Sequence, residues 1–458
     1  MTARIVAFLI LALTLAACAP TRDVPTRRLV FTGELPPMRT FAGSRDDRPT
    51  RSNAAIARDF LDLSFSLESG RALPVLTRFE EPITIRSTGR NIPPSLSGDL
   101  DRLIGRLRQE AKLDITRVGP GTEASITVES VPRADLQRAV PQAACFVVPR
   151  LSSWEEFRKN RHTAVLDWTT LTTRTRMAVF IPSDVSPQEV RDCLHEEIAQ
   201  ALGPLNDLYR LDDSVFNDDN FNAVLTGFDM TVLRTYYAPE LASGMTREEV
   251  AAQLPGILAR VNPAGRGLPD PGPADVSRDW IDAVELSLGP ATAPSRRLAA
   301  AKTAVRIATE RGWHDSRLAF SLYVQGRLSL GIEPDLALAS FLQSGAIYAA
   351  NPATQVHKAH VAMQIAAFAL STGQADAAIE MVDDNTDAVA RSQNAALLAS
   401  LLMVKVEALE LQGRLREAEA VRQTALGWAR YGFGSDDEVR VRVGEIASLS
   451  PRRREEAS

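Results

Sequence analysis

Ser186-Pro187-Gln188-Glu189-Val190-Arg191-Asp192-Cys193-Leu194-His195-Glu196-Glu197-Ile198-Ala199-Gln200-Ala201-Leu202-Gly203 is the stretch around which the rest of the chain is arranged. A serine able to cap, a proline at the first helical position and a glutamate three residues after the serine open a helix as a capping box. Gly203-Pro204 stops it. Upstream, 54–67 and 100–111 carry apolar residues at helical spacing, whereas 82–86 alternates like a half-buried strand. Residues 113–118, 124–131, 144–148, 163–168 and 176–181 are strand-like runs between turn residues. The expected fold class over 53–262 is therefore α+β, with the later elements mostly helical.

Downstream, Thr246-Arg247-Glu248-Glu249 is a second capping box and starts a helix that runs toward 261. Asn262-Pro263-Ala264-Gly265-Arg266-Gly267-Leu268-Pro269-Asp270-Pro271-Gly272-Pro273 cannot be regular structure, so 263–276 is a linker. From 277 to 450 the chain reads as helix after helix, rich in Ala and Leu. Three helices end at Gly331, Gly373 and Gly413, each followed by a second helix starting near Pro334, Ala375 or Leu415. A two-helix unit of about 40 residues resembles a tetratricopeptide-like solenoid, whose usual period is about 34; a plain helical bundle is the alternative. Such a domain implies an envelope protein or peptide as docking partner.

The first residues, 1–17, combine Arg4, an apolar run from Ile5 to Leu13 and small residues, the layout of a secretory signal and too short for a membrane span. Leu15-Ala16-Ala17-Cys18 resembles the lipobox of bacterial lipoproteins. That resemblance implies cleavage before Cys18, lipid on its thiol and attachment to a membrane in the cell envelope. Ala19 is not the aspartate of inner-membrane retention, so the outer membrane is favoured; an ordinary secretory signal is the alternative. Residues 18–52, rich in Pro, Arg and Thr, read as a flexible tether, and 451–458 as a solvated tail. A net charge of -5 argues against nucleic acid as a partner. With Cys18 lipidated, Cys145 and Cys193 remain to pair in an oxidising compartment; two buried thiols are the alternative.

The run from His195 to Asp207 resembles the zinc helix of the metzincin metalloproteases, H-E-x-x-H-x-x-G-x-x-H. Aligned on Gly203, the resemblance places Glu196, Gln200 and Asn206 at the three metal-ligand positions and Glu197 at the catalytic acid. No imidazole stands at any of the three. A second register starting at His195 puts Ala199 at the second ligand and misplaces the glycine. One carboxylate with two neutral amides suits zinc poorly, so no cofactor is expected, a hard divalent cation being the alternative. Asp213-Ser214-Val215-Phe216 stands where metzincins turn beneath the metal, with Phe216 in the methionine's place, and residues 225–237 resemble the family's closing helix. Over 53–262 the chain is similar to a family of bacterial envelope proteins, domain of unknown function family 2927, itself related to metzincin-like peptidases.

The resemblance thus implies an inactive peptidase scaffold that binds a peptide or envelope polymer in the old cleft, with Asp207, Ser214 and Phe216 as further cleft candidates. The competing class is a hydrolase using Glu197 as general base. Adjacent helical positions point about 100° apart, so Glu196 and Glu197 should not easily face one bond together. The blandest reading has Glu197, Gln200, Asn206 and Asp207 bonding to one another and holding the turn. His357 and His360, three apart on a helix, lack a third ligand and read as ordinary histidines.

Overall fold

The computed structural model describes residues 34–41, 49–141, 143–217, 219–272, 275–289 and 292–451. The signal segment, Cys18, most of the expected tether and the tail beyond Pro451 lie outside the described residues.

The α+β part begins with α1 (Asn53–Ser64), capped by Ser52, whose hydroxyl accepts from the Ala55 amide. Then follow β1 (Ile83–Gly89), α2 (Leu96–Gln109), β2 (Ile115–Arg117), β3 (Ile126–Val131), α3 (Arg133–Ala139), β4 (Phe146–Pro149), α4 (Trp154–Asn160) and β5 (Met177–Pro182). The strands form one mixed sheet in the order β2-β1-β3-β5-β4. β2, β1, β3 and β5 run parallel, and β4 is an antiparallel edge. β5 is buried along its whole length, as a strand covered on both faces must be. Its Met177, Val179 and Ile181 join the main core, while Ala178 and Phe180 pack with Leu136 and Phe157 in a second core on the opposite face.

The stretch 163–168, expected to be a strand, instead makes two 3₁₀ turns, Ala164–Leu166 and Trp168–Thr170. Asp167 is the reason: its side chain accepts from the Thr169 amide, a local turn that competes with a ladder.

The quoted stretch forms α5 (Pro187–Leu202), with Ser186 accepting from the Glu189 amide as the cap requires. The reciprocal half of the expected box is replaced by a pair between Glu189 and Arg133. α6 (Gly227–Tyr236) and α7 (Arg247–Val261) both open on complete capping boxes, at Thr226 and Thr246. Among its described residues the linker region carries one 3₁₀ turn, Pro263–Gly265, and Arg58 holds the linker to α1 through Asp270 at 2.7 Å.

Beyond it stand α8 (Arg278–Leu288), α9 (Pro294–Glu310), α10 (Ser316–Ser329), α11 (Pro334–Ala349), α12 (Gln355–Ser371), α13 (Ala375–Arg391), α14 (Ala395–Leu411), α15 (Leu415–Gly432) and α16 (Asp436–Ala447). The turns at Gly373 and Gly413 sit at φ 78° and 73°, where a side chain is strained. No helix among the described residues is long and apolar enough to cross a membrane.

Several contacts among the described residues fasten the helical region to the α+β part, Tyr431 with Asp99 among them. Phe221 leaves the loop after α5 and enters an aromatic cluster with Phe320, Tyr323, Tyr348 and His357. Gln188, near the start of α5, bonds to Asn394 and to the Ala396 amide. Part of the expected tether also departs from a free strand: the Arg39 amide donates to Gly427, and Phe41 stacks on Trp428 at 4.3 Å.

Candidate functional site

The C-terminal half of α5 and the edge strand β4 face each other across a cleft of about 530 Å³, within the usual range of ligand sites, roughly 300–1,000 Å³. Glu196, Glu197 and Gln200 line it from α5, Phe146 and Val147 from β4, and Glu68 from the turn after α1. The ladder register settles what β4 offers. The Arg150 amide donates to the Arg176 carbonyl, so that pair is hydrogen-bonded. By the antiparallel alternation, Val148 with Ala178 and Phe146 with Phe180 are hydrogen-bonded too. Val147 therefore turns its amide and carbonyl to the edge that no strand among the described residues pairs with, beside the cleft.

Cys145 and Cys193 are placed for a disulfide, with Cα atoms 6.0 Å apart. One belongs to the segment entering β4 and the other to α5, so the pair ties the two walls together.

The floor of the cleft depends on how α5 ends. Arg174, 2% exposed, donates to the carbonyls of Gln200 (2.5 Å), Ala201 (2.8 Å) and Gly203, and to the Thr77 hydroxyl at 3.2 Å. Burial works against its charge and lowers its pKa; what compensates is the negative end of the helix, whose last carbonyls have no amide one turn further on to bond. Gly203 is required for a steric reason: a Cβ there would lie 2.8 Å from the Tyr236 ring.

Glu197 is 4% exposed and its Oε2 has no hydrogen-bond partner among the described residues. Burial, then the neighbouring carboxylates of Glu196 and Glu68, push its pKa well above the usual carboxylate range. Glu196 and Glu197 border the same cleft, although adjacent helical positions were expected to diverge. Asp207 lies at its rim.

Other sequence candidates fall elsewhere. Asn206 spends its amide on the Asp62 carbonyl at 3.0 Å and lines a neighbouring cavity, so it does not converge with Glu196 and Gln200. Ser214 and Phe216 are fully buried and line no part of the cleft, which corrects their assignment to it. Ser214 donates to Asp229 at 2.5 Å and accepts from the Phe216 amide. Asp229 also accepts from the amides of Val215 and Thr226, and burial raises its pKa to about 6. The turn is thus held by a buried carboxylate from α6. His195 faces away from the cleft: its Nδ1 accepts from the Leu225 amide at 3.2 Å, and burial keeps its pKa well below the usual histidine range. His357 is a core residue and His360 is half-buried; His357 meets Asp219 at 3.0 Å, and desolvation lowers His360 to about 3. No group of three or more His, Cys, Asp or Glu side chains among the described residues is placed to hold a metal ion.

Sequence reasoning missed Glu68, Trp168 and Arg174. The first two belong to turns and carry no motif; Arg174 is matched to backbone carbonyls, which leave no trace in side-chain spacing.

Fold and site together define a mixed α/β domain with an acid-lined cleft beside an open sheet edge, fastened to a region of many helices. Residues 53–256 match the family described as a protein of unknown function (DUF2927). No curated protein and no solved structure matches the chain.

Proposed function

We propose that the protein is a lipid-anchored envelope module whose α+β domain, a metzincin-like scaffold without zinc chemistry, binds an extended peptide in the cleft between β4 and α5. The observation that carries this reading is the pairing of an open strand edge at Val147 with polar side chains at Glu196, Glu197 and Gln200 across the cleft. An extended segment adds to such an edge by main-chain hydrogen bonds, and the facing pocket reads its side chains. The helical region, read as tetratricopeptide-like, presents Leu330, Ile332 and Leu342 to solvent and supplies a docking surface for an envelope partner. Lipid on Cys18 places the module at a membrane, the outer membrane being favoured.

The raised Glu197 carboxyl supports a second reading, a hydrolase using it as general acid or base. One experiment separates the two: a set of fluorescently labelled, end-blocked pentapeptides is titrated with the full chain, anisotropy reports binding, and mass spectrometry reports cleavage. Saturable binding of intact peptide is the expected result. Cleavage would favour the hydrolase, and no binding by any member of the set would overturn the peptide-binding reading.

A buried carboxylate at this position burdens the fold, and the sign follows from linkage. Because the folded pKa of Glu197 is raised, its contribution is favourable at low pH and is lost as pH rises from the unfolded value through the folded one. Glu197→Gln is therefore expected to match the wild type in Tm near pH 4.5 and to exceed it progressively toward neutrality. The gap should grow by at most about 1.4 kcal/mol per pH unit, as read by thermal melts across a pH series.

A further inference from the structure

The cleft is one-sided in charge. Glu68, Glu196, Glu197 and Asp207 border it, and no Lys, Arg or His is among the described residues that do. Acidic side chains alone would say little, because carboxylates at a surface are ordinarily solvated. Glu197 is different: it is buried, it lines the cleft, and one of its oxygens meets no donor among the described residues. Buried polar atoms are nearly always partnered, and an exception at a cleft marks where a ligand group is missing.

The ionised carboxylate only accepts, so the group that would partner it in that form is a donor. A metal ion would need several ligands converging on one point, and no such grouping exists among the described residues. An organic cation has no such requirement. An ammonium carries three donors and a guanidinium five, each at the end of an apolar stem. The stem has a matching path: Phe146, Val147, Leu205 and Trp168 give the cleft its apolar walls.

We infer that the cleft selects an extended peptide that pairs along the open edge of β4 and inserts a basic side chain, lysine or arginine, toward Glu197. This inference rests on the peptide-binding reading above. Trp168 flanks the path of the side chain, and Glu68 and Glu196 supply the surrounding negative field. In the free protein Glu197 holds its proton into the range above ordinary carboxylates. A cation stabilises the ionised form, so binding releases that proton to solvent and tightens as pH rises toward the free-state pKa.

The test uses three end-blocked pentapeptides, Ala-Ala-X-Ala-Ala with lysine, arginine or norleucine at the centre, titrated against the full chain from pH 5 to pH 8. The basic peptides should bind at least tenfold tighter than the norleucine peptide, with affinity rising with pH. In Glu197→Gln they should lose about 30-fold or more, the scale for removing one partner of a desolvated charge pair, and the pH dependence should vanish. The norleucine peptide should be unaffected. Glu68→Gln, at an exposed position, should cause a smaller loss for the same peptides. Equal affinity for all three peptides, or an unchanged pH profile in Glu197→Gln, overturns the inference and leaves peptide binding standing. Binding by none of them, when other sequences bind, also overturns it. Calcium or zinc titrated alone provides the last arm: stoichiometric binding abolished in Glu197→Gln would assign the carboxylate to a metal and overturn it as well.

Discussion

Arg174→Ala is expected to destabilise the protein by about 3–5 kcal/mol, the scale for breaking a buried charged network, and to lower Tm by roughly 10 °C. The guanidinium reaches three carbonyls at the end of α5, and alanine removes its hydrogen bonds from all of them, the Gln200 carbonyl keeping only the 3.3 Å bond from the Gly203 amide. The same substitution empties the volume between Thr77 and the Trp168 ring, over which the guanidinium lies at 5.6 Å. Lysine at this position should recover only part of the loss, because one ammonium cannot span three acceptors in the geometry of a planar fork. Chemical denaturation of the wild type, Arg174→Ala and Arg174→Lys checks the order. An alanine variant within 1 kcal/mol of wild type would show that the helix end does not depend on this residue.

Loss of the Cys145–Cys193 link should cost nearly as much. The two cysteines are 48 residues apart, and closing a loop of that length stabilises by about 4 kcal/mol in the chain-entropy model. The effect should also be local, because the link joins the β4 edge to α5. In the Cys145→Ala, Cys193→Ala double variant, amide exchange over Phe146–Pro149 should accelerate more than exchange at the centre of the sheet in β3. The double variant should behave as the wild type does in reductant. A uniform acceleration across the domain would assign the link to global stability alone.

What the sequence discloses follows how local the determining physics is. α5 is legible because a serine cap, an N-terminal proline and a terminal glycine act within a few residues. The helix pairs that turn at Gly373 and Gly413 are legible for the same reason, since a left-handed backbone needs glycine. The 163–168 region misleads because Val165, Leu166 and Trp168 look like strand residues while Asp167 decides the turn. Residues 34–41 read as tether because their few apolar residues show no periodicity, and the site on the helical region where Leu35 and Phe41 dock is distant in sequence.

The site divides along the same line. A motif position predicts which helix face a residue occupies, so Glu196, Glu197 and Gln200 emerge together at the cleft. It does not predict where the chain goes after the helix. Asn206 is turned to Asp62 by the packing of Leu205 against α1, whose Leu63 carbonyl accepts from the Leu205 amide. Ser214 and Phe216 are withdrawn from the cleft by Asp229, a residue from the following helix. Glu68 arrives through the tertiary fold alone.

We propose that the β4 edge and the end of α5 form one peptide-binding cleft. Hydrogen exchange of the full chain, with and without the tightest-binding member of the blocked pentapeptide set, tests it most directly. Protection of the Val147 amide and of the 196–200 segment, with the peptide recovered intact, is the predicted result. Binding that leaves Val147 unprotected, or protects only the helical region beyond Arg278, would contradict it.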